Sequence, residues 1–304
     1  RGFIRTEPDP HDPRRKRYLA ADIDRLAARR DAAPDVVSAA PSLFAALNED
    51  AEKWAARACF EAAAARLWQQ STPWQRLFAQ PLPPIPPESH GLPSLHALMT
   101  ALVIESAYDV RAYDLSPDGI AFTAARILRL MADVLSGGAT GDRIAHQLAS
   151  AWRTSPNTLD SALILLADES PPEFESAIRA VRAQRTPPYA AIQTGLALLT
   201  GLSQANQAAA AALLREVAHP DHAHAVIARR LRHNLPIAGF HLPPVAVVDG
   251  ERRTTQLIAL ARAAYPESAA LLDAVIDAAR YAINARPSLS FALAALEVAG
   301  RLPD

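Results

Sequence analysis

The sequence is poor in residues that mark several classes of protein. Among its 304 residues there are one cysteine, Cys59, and only 11 glycines. A single cysteine excludes an internal disulfide and a cysteine-based metal cage, and it suits a reducing compartment. No apolar run reaches the roughly 18 residues that a membrane-spanning helix needs. We therefore expect a cytoplasmic protein without a membrane contact.

An excess of charge of one sign is also absent. The chain has 31 Lys and Arg against 32 Asp and Glu, for a net charge of −1, so no overall field attracts nucleic acid. The exception is local, because Arg14, Arg15, Lys16 and Arg17 are consecutive. Such a basic arm can contact DNA phosphates with salt-sensitive affinity. A solvated arm that packs on the body or on a dimer partner fits the same pattern.

Alanine and proline are what the sequence has in abundance. Hydrophobic residues make up 50% of the chain, and 25 prolines fall mostly between apolar periodic stretches. Alanine favours helices and proline ends them, so the pattern predicts an all-α fold. We expect helices at about 94–108, 118–135, 141–152 and 268–284. The second of these should bury one stripe: Ile120, Ala124, Ile127, Leu128 and Met131.

A histidine cluster is the one metal-like feature. His219, His222 and His224 could place two ligands on one helical face, but no carboxylate or cysteine completes a set at usable distance. We predict no metal site.

The segment 239–261 combines a loop rich in Pro and Gly with an apolar helix. It resembles the citrate synthases, in which a Gly-Phe-Gly-His-Pro loop leads to Asp-Gly-Asp-Pro-Arg and a Leu-rich helix. The matching positions are Gly239-Phe240, Pro243, Asp249-Gly250, Arg253 and 257–261. The family's catalytic aspartate falls on Glu251. The resemblance implies Glu251 as the catalytic base, with Arg253 and His241 as substrate-binding residues.

Three further segments resemble the same family in the same order. Residues 60–68 are similar to its Phe-Glu-x-x-Ala-x-Leu-Leu-Trp helix. The apolar run 159–169 resembles the helix that ends in Ala-Asp-His-Glu, and Glu169 stands where the catalytic histidine would be. Residues 189–207 resemble Gly-Leu-x-x-Leu-x-Gly-Pro-Leu-His-Gly, with Gln204 at the position of the second histidine.

The resemblance implies a complete architecture. It predicts a citrate-synthase-like large helical domain, 32–169 and 285–304, with an inserted small helical domain, 170–284. Residues 1–31 are similar to the wing and following helix of a MerR-like winged helix-turn-helix, whose other part we expect before Arg1. The family forms homodimers and acts in the tricarboxylic acid cycle as an acyltransferase that joins acetyl-CoA, a substrate and not a cofactor, to oxaloacetate. No cofactor is expected.

The replaced residues limit that chemistry. Condensation needs a base for the methyl proton, a donor to the enolate oxygen and an acid for the ketone. Glu251 can serve as the base, but an ionised Glu169 accepts hydrogen bonds and repels an enolate, and Gln204 donates without transferring a proton. Two hypotheses follow: a weak or inactive acyltransferase, and a non-catalytic dimer that binds an acyl-CoA or a keto acid or acts with DNA. A helical scaffold that binds neither is a third.

Overall fold

Helices form almost all regular structure in the part of the chain that the computed structural model describes. That part comprises residues 6–9, 12–18, 43–167, 172–241 and 250–300. The all-α prediction is confirmed, because the strands there are two short antiparallel pairs.

The elements are as follows in chain order. The strands are β1 Thr6–Asp9, β2 Asp12–Tyr18, β3 Phe240–His241 and β4 Arg286–Pro287. The α-helices are α1 Ala51–Ala55, α2 Phe60–Leu67, α3 Trp74–Phe78, α4 Ser94–Tyr108, α5 Pro117–Ser136, α6 Ile144–Trp152, α7 Pro156–Ala167, α8 Pro172–Ala183, α9 Pro188–Leu199, α10 Leu202–Val217, α11 Ala223–Arg232, α12 Gly250–Ala264, α13 Pro266–Ile283 and α14 Leu289–Gly300. Short 3-10 helices cover Ala45–Leu47, Pro87–Ser89, Val110–Tyr113 and Pro220–His222.

Local signals set the ends of α5. The Ser116 side chain accepts a hydrogen bond from the Gly119 amide at 3.1 Å, and Pro117 occupies the first helical position. At the other end Gly137 adopts φ 65°, the left-handed conformation that closes many helices. The predicted helix is therefore confirmed to within one residue at each end.

The largest core surrounds α14. Phe291, at 0% exposure, packs there with Leu213 and Leu214 of α10 and Leu257 of α12. The helices α11 and α13 close the same cluster through buried residues such as Ile227 and Leu272. With Ala162 and Leu165 of α7, the described cluster spans six helices, and α14 lies at its centre.

Two other cores lie nearer the N-terminal half. One joins α2, α3, α5, α6 and α7 around Phe44, Leu77 and Ile164. The other is smaller and joins α4, α5 and α9 around Leu102, Ile127 and Leu196. The predicted stripe of α5 is wrong at Ile120, whose side chain is 42% exposed.

A buried ion pair fastens α9 to α4 and α5. Arg126 donates to Asp109 at 2.6 Å, and both side chains are almost fully buried. The Tyr189 hydroxyl donates to the same carboxylate at 3.2 Å. Burial opposes ionisation of Asp109, but the hydrogen bond and charge of Arg126 outweigh it and lower the pKa of the carboxyl. Removing one partner alone would leave a buried charge uncompensated.

Two buried carboxylates cap helices other than their own. Asp160 of α7 accepts from the Phe60 amide at 2.8 Å, and Glu61 of α2 accepts from the Ile144 amide at 2.6 Å. Each amide is the first of its helix, where no intrahelical acceptor exists. Burial raises the pKa of both carboxyls. The junction of α2, α6 and α7 therefore depends on acceptors placed 83 and 100 residues away in sequence.

Contacts divide the chain into two units, Arg1–Ala40 and Pro41–Asp304. In the first, β1 and β2 pair antiparallel, with Thr6 opposite Tyr18 and Glu7 opposite Arg17, so the basic residues 14–17 lie on a strand. A contact between this arm and DNA stays a prediction, as does the large- and small-domain division of the second unit. Within the described residues, no helix combines the length and apolarity needed to cross a membrane.

We expect Gly239→Ala to destabilise the protein more than Gly137→Ala. Both glycines have positive φ, 84° and 65°, so alanine costs about 1–2 kcal/mol at either position. At Gly239 a Cβ would also lie 2.9 Å from the Ala210 Cβ and 3.0 Å from the Phe291 Cβ, whereas Gly137 has open space. The overlap adds about 1–3 kcal/mol. Urea unfolding of the two variants measures the difference, and equal losses would contradict the close packing.

We expect Glu61→Gln to stabilise the protein increasingly as pH rises. The folded pKa of Glu61 is raised by burial, so the unfolded chain loses this proton first and wild-type stability falls as pH rises through the window between the two values. Glutamine keeps an acceptor for the Ile144 amide without that loss. Urea unfolding between pH 4 and pH 8 tests this. The exposed Glu88→Gln is the control, and a Glu61→Gln difference that stays constant with pH would refute the assignment.

Candidate functional site

An open cleft of about 480 Å³ runs along α10. Gly201, the N-cap of α10, and Arg215, near the C-terminus of the helix, both line this cleft. Helix α14 contributes Glu297 to the wall. The described lining consists of Thr200, Gly201, Gln204, Ala205, Gln207, Ala208, Arg215 and Glu297. The small alanine side chains leave the cleft open, and the amide and guanidinium groups make its wall polar.

The charge of Glu297 is matched within the wall. Its side chain is only 8% exposed, and one oxygen accepts from Arg215 Nη2 at 2.6 Å. The other oxygen accepts from Gln207 Nε2 at 3.2 Å. Both carboxylate oxygens are therefore engaged, and the Arg215 side chain that pairs with one of them is half exposed. The described wall offers hydrogen-bond donors to a ligand, and its one carboxylate is already paired.

Of the three predicted catalytic residues, Gln204 is the one whose side chain the structure describes. Gln204 is exposed and lines the cleft. Glu251 is the second residue of α12, and its side chain lies outside the described residues. The predicted apolar helix before Glu169 is α7, which ends at Ala167, and Glu169 itself lies outside the described residues.

The two predicted substrate-binding residues are placed differently from each other. Arg253 is 8% exposed and lies on the buried side of α12 with Thr254 and Leu257. His241 is exposed in β3, where it pairs with Arg286 of β4. Neither is among the described residues that line the cleft. Their roles, and those of Glu251, Gln204 and Glu169, stay predictions.

Gly239 and Phe240 are anchored on the start of α14. The rings of Phe240 and Phe291 are 4.9 Å apart, and the Ser288 amide donates to the Gly239 carbonyl at 2.9 Å. Glu297 follows Phe291 by six residues, which is about 9 Å along a helix. Helix α14 and the residue before it thus contact Gly239 and Phe240, and the same helix carries the carboxylate of the cleft.

Sequence reasoning did not find Gln207, Arg215 or Glu297. The available signal was Glu297, the one charged residue in the twelve-residue apolar helix α14. A lone carboxylate in a buried helix requires a partner, so it predicts a basic residue nearby. Which basic residue that is depends on the packing of α10 against α14.

The fold resembles several solved structures. Citrate synthase from Thermotoga maritima MSB8 matches with a TM-score of 0.61 at 16% identity, over 83% of this chain and 80% of that one. The citrate synthase of Thermoplasma acidophilum, solved as a ternary complex with carboxymethyl coenzyme A and oxaloacetate, matches with a TM-score of 0.62 at 16% identity, over 81% and 75%. Citrate synthase from Pyrobaculum aerophilum matches with a TM-score of 0.66 at 15% identity, over 84% and 76%. The chain has the citrate synthase fold.

The likeness to citrate synthases is one of structure. No protein-family model matches the sequence, and no curated protein matches it by sequence. The structural matches confirm the predicted citrate-synthase-like fold. At 15–16% identity the comparison carries the backbone arrangement and not the roles of individual residues.

Proposed function

We propose that this protein binds a keto acid and an acyl-CoA on a citrate synthase frame and condenses them slowly or not at all. The observation that carries the proposal is the cleft along α10, where Gln204 supplies an exposed amide beside Gln207 and Arg215. Amide and guanidinium donors suit the carboxylate and carbonyl oxygens of a keto acid. The T. acidophilum enzyme of the same fold is a complex with oxaloacetate and a CoA derivative, which supports this ligand class.

Slow condensation follows from the available proton donors. A glutamine at position 204 can polarise a ketone oxygen but cannot protonate it. Loss of a general acid costs on the order of 10²–10⁴ in rate, and loss of an oxyanion donor about 10²–10³. The oxyanion donor is lost if Glu169 stands in place of a neutral donor, unless the Glu169 carboxyl stays protonated. Binding survives both changes better than catalysis does.

The alternative within the same proposal is that the protein still catalyses the condensation. Glu251 would then remove the methyl proton of the acyl-CoA, with a carboxylate displaced by about one bond length relative to aspartate. Because condensation is sensitive to position, this displacement lowers the rate without excluding turnover. Free CoA is the product that separates the alternatives.

We expect calorimetric titration with oxaloacetate, acetyl-CoA and both together to show binding, with little or no free CoA in the cell afterwards. Gln204→Ala should weaken binding of the keto acid roughly two- to tenfold, since one net hydrogen bond is worth about 0.5–1.5 kcal/mol. The matched control is Gln184→Ala, an exposed glutamine outside the cleft lining.

The outcomes are distinct. Binding accompanied by stoichiometric CoA release that Glu251→Ala abolishes would establish an acyltransferase. Binding without release would establish a ligand-binding protein. If no ligand binds, or if Gln184→Ala weakens binding as much as Gln204→Ala does, the proposed site is wrong.

We also propose that the protein is a homodimer joined through α4, α5 and α9. Apolar side chains that remain exposed on these helices support it: Val103 at 55%, Ile120 at 42%, Leu198 at 37% and Leu199 at 39%. The half-buried positions Ala124, Leu128 and Met131 continue the predicted apolar stripe from Ile120. A second copy would cover this face and complete the small core of α4, α5 and α9.

We expect light scattering to give twice the 32.6 kDa of one chain. Val103→Glu or Ile120→Glu should shift the mass toward one chain, because burying an unpaired carboxylate costs several kcal/mol. Tyr281→Glu is the control, since Tyr281 is 86% exposed on α13 and lies outside the proposed interface. A monomeric wild type, or equal dissociation in all three variants, would refute this interface.

A further inference from the structure

We propose that Arg252 is a positioning residue, which fixes the first turn of α12, and with it Glu251, by clamping that turn onto α1. The inference deepens the proposed function and rests on it for the role of Glu251. No resemblance assigns Arg252, because the family's motif has proline at that position and arginine at the next.

The clamp joins segments about two hundred residues apart. Arg252 Nε donates to Glu52 Oε1 at 3.0 Å, and its Nη2 donates to Asp50 Oδ2 at 3.3 Å. Gln256, one turn later on the same face of α12, donates to the same Glu52 oxygen. Asp50 also accepts from the Glu52 amide at 2.9 Å, which caps α1. Two side chains of α12 thus bind two carboxylates of the α1 region, and one of these, Asp50, is also held by its cap of α1.

The opposite side of the same turn is buried. Arg253, Thr254 and Leu257 have exposures of 8%, 5% and 0%. The start of α12 is therefore held by packing on one side and by charged hydrogen bonds on the other. Glu251 immediately precedes the clamped residue, so the backbone that carries it follows the position of Arg252.

Solvent exposure limits how much the Arg252 ion pairs contribute to the free energy of unfolding. The Arg252 side chain is 65% exposed, and exposed ion pairs contribute about 0.2–1 kcal/mol, so a large effect on global stability is not expected. A local effect is expected, because helix ends open more easily than helix centres. Small displacements of a catalytic or binding group are enough to change its efficiency.

Hydrogen exchange tests the clamp without any ligand. In Arg252→Gln we expect the amides of residues 254–258, which bond to the first-turn carbonyls, to exchange about two- to fivefold faster. Arg252→Lys keeps the charge but lacks the planar fork and should fall between. The control is Arg262→Gln, which breaks the exposed pair between Arg262 of α12 and Asp273 of α13 and should leave 254–258 unchanged. Acceleration equal to that in Arg262→Gln would overturn the proposal.

Release of free CoA from oxaloacetate and acetyl-CoA then tests positioning, because Glu251 is the proposed base. We expect Arg252→Gln to slow this release about two- to fivefold and Arg252→Lys to recover part of it, with no change in Arg262→Gln. If exchange accelerates but CoA release stays at the wild-type rate, Arg252 holds the helix without positioning Glu251, and the proposal is overturned. If the wild type releases no CoA, Glu251 is not a working base and the positioning role fails, while the exchange comparison still decides whether the clamp exists.

Discussion

The burial of α14 is the constraint on which the rest of this structure depends. Its twelve residues are apolar except for Ser290, Gly300 and Glu297, so the helix has no face suited to water. The chain covers it with α10 on one side and α12 on another, and Phe291, Ala292, Ala294 and Ala295 are all fully buried. Because alanines let neighbouring backbones approach closely, the covering helices pack tightly enough that Gly239 leaves no room for a Cβ beside Phe291.

The same burial gives the cleft its chemistry. A buried carboxylate needs hydrogen-bond partners, and the partners that reach Glu297 are Arg215 and Gln207, both on α10. A guanidinium and an amide are thereby held at the surface of α10, in line with Gln204. The polar wall of the cleft is thus a consequence of how one buried carboxylate is satisfied, and its donors are fixed before any ligand arrives.

The sequence predicted the helices better than it predicted their partners. Helix α5 could be bounded because Ser116 and Gly137 act within one turn, and the citrate-synthase-like fold followed from four segments in the right order. The caps of α2 and α6 could not be predicted from the sequence, because Asp160 and Glu61 accept from helices 100 and 83 residues away. Ile120 was assigned to the core because periodicity identifies an apolar face without saying whether the same chain covers it. Gln204 was located through resemblance, whereas Arg215 required the packing of α10 on α14.

The balance between binding and catalysis depends on protons. A keto acid needs donors for its oxygens, and amide and guanidinium groups such as those of Gln204, Gln207 and Arg215 are donors. Condensation also needs groups that change protonation state during the reaction. In the described wall of the cleft the one carboxylate, Glu297, has both oxygens occupied by Arg215 and Gln207, and releasing it would leave a buried charge unpaired. Proton transfer would therefore have to come from Glu251 or Glu169, and for this reason the proposed function places binding before turnover.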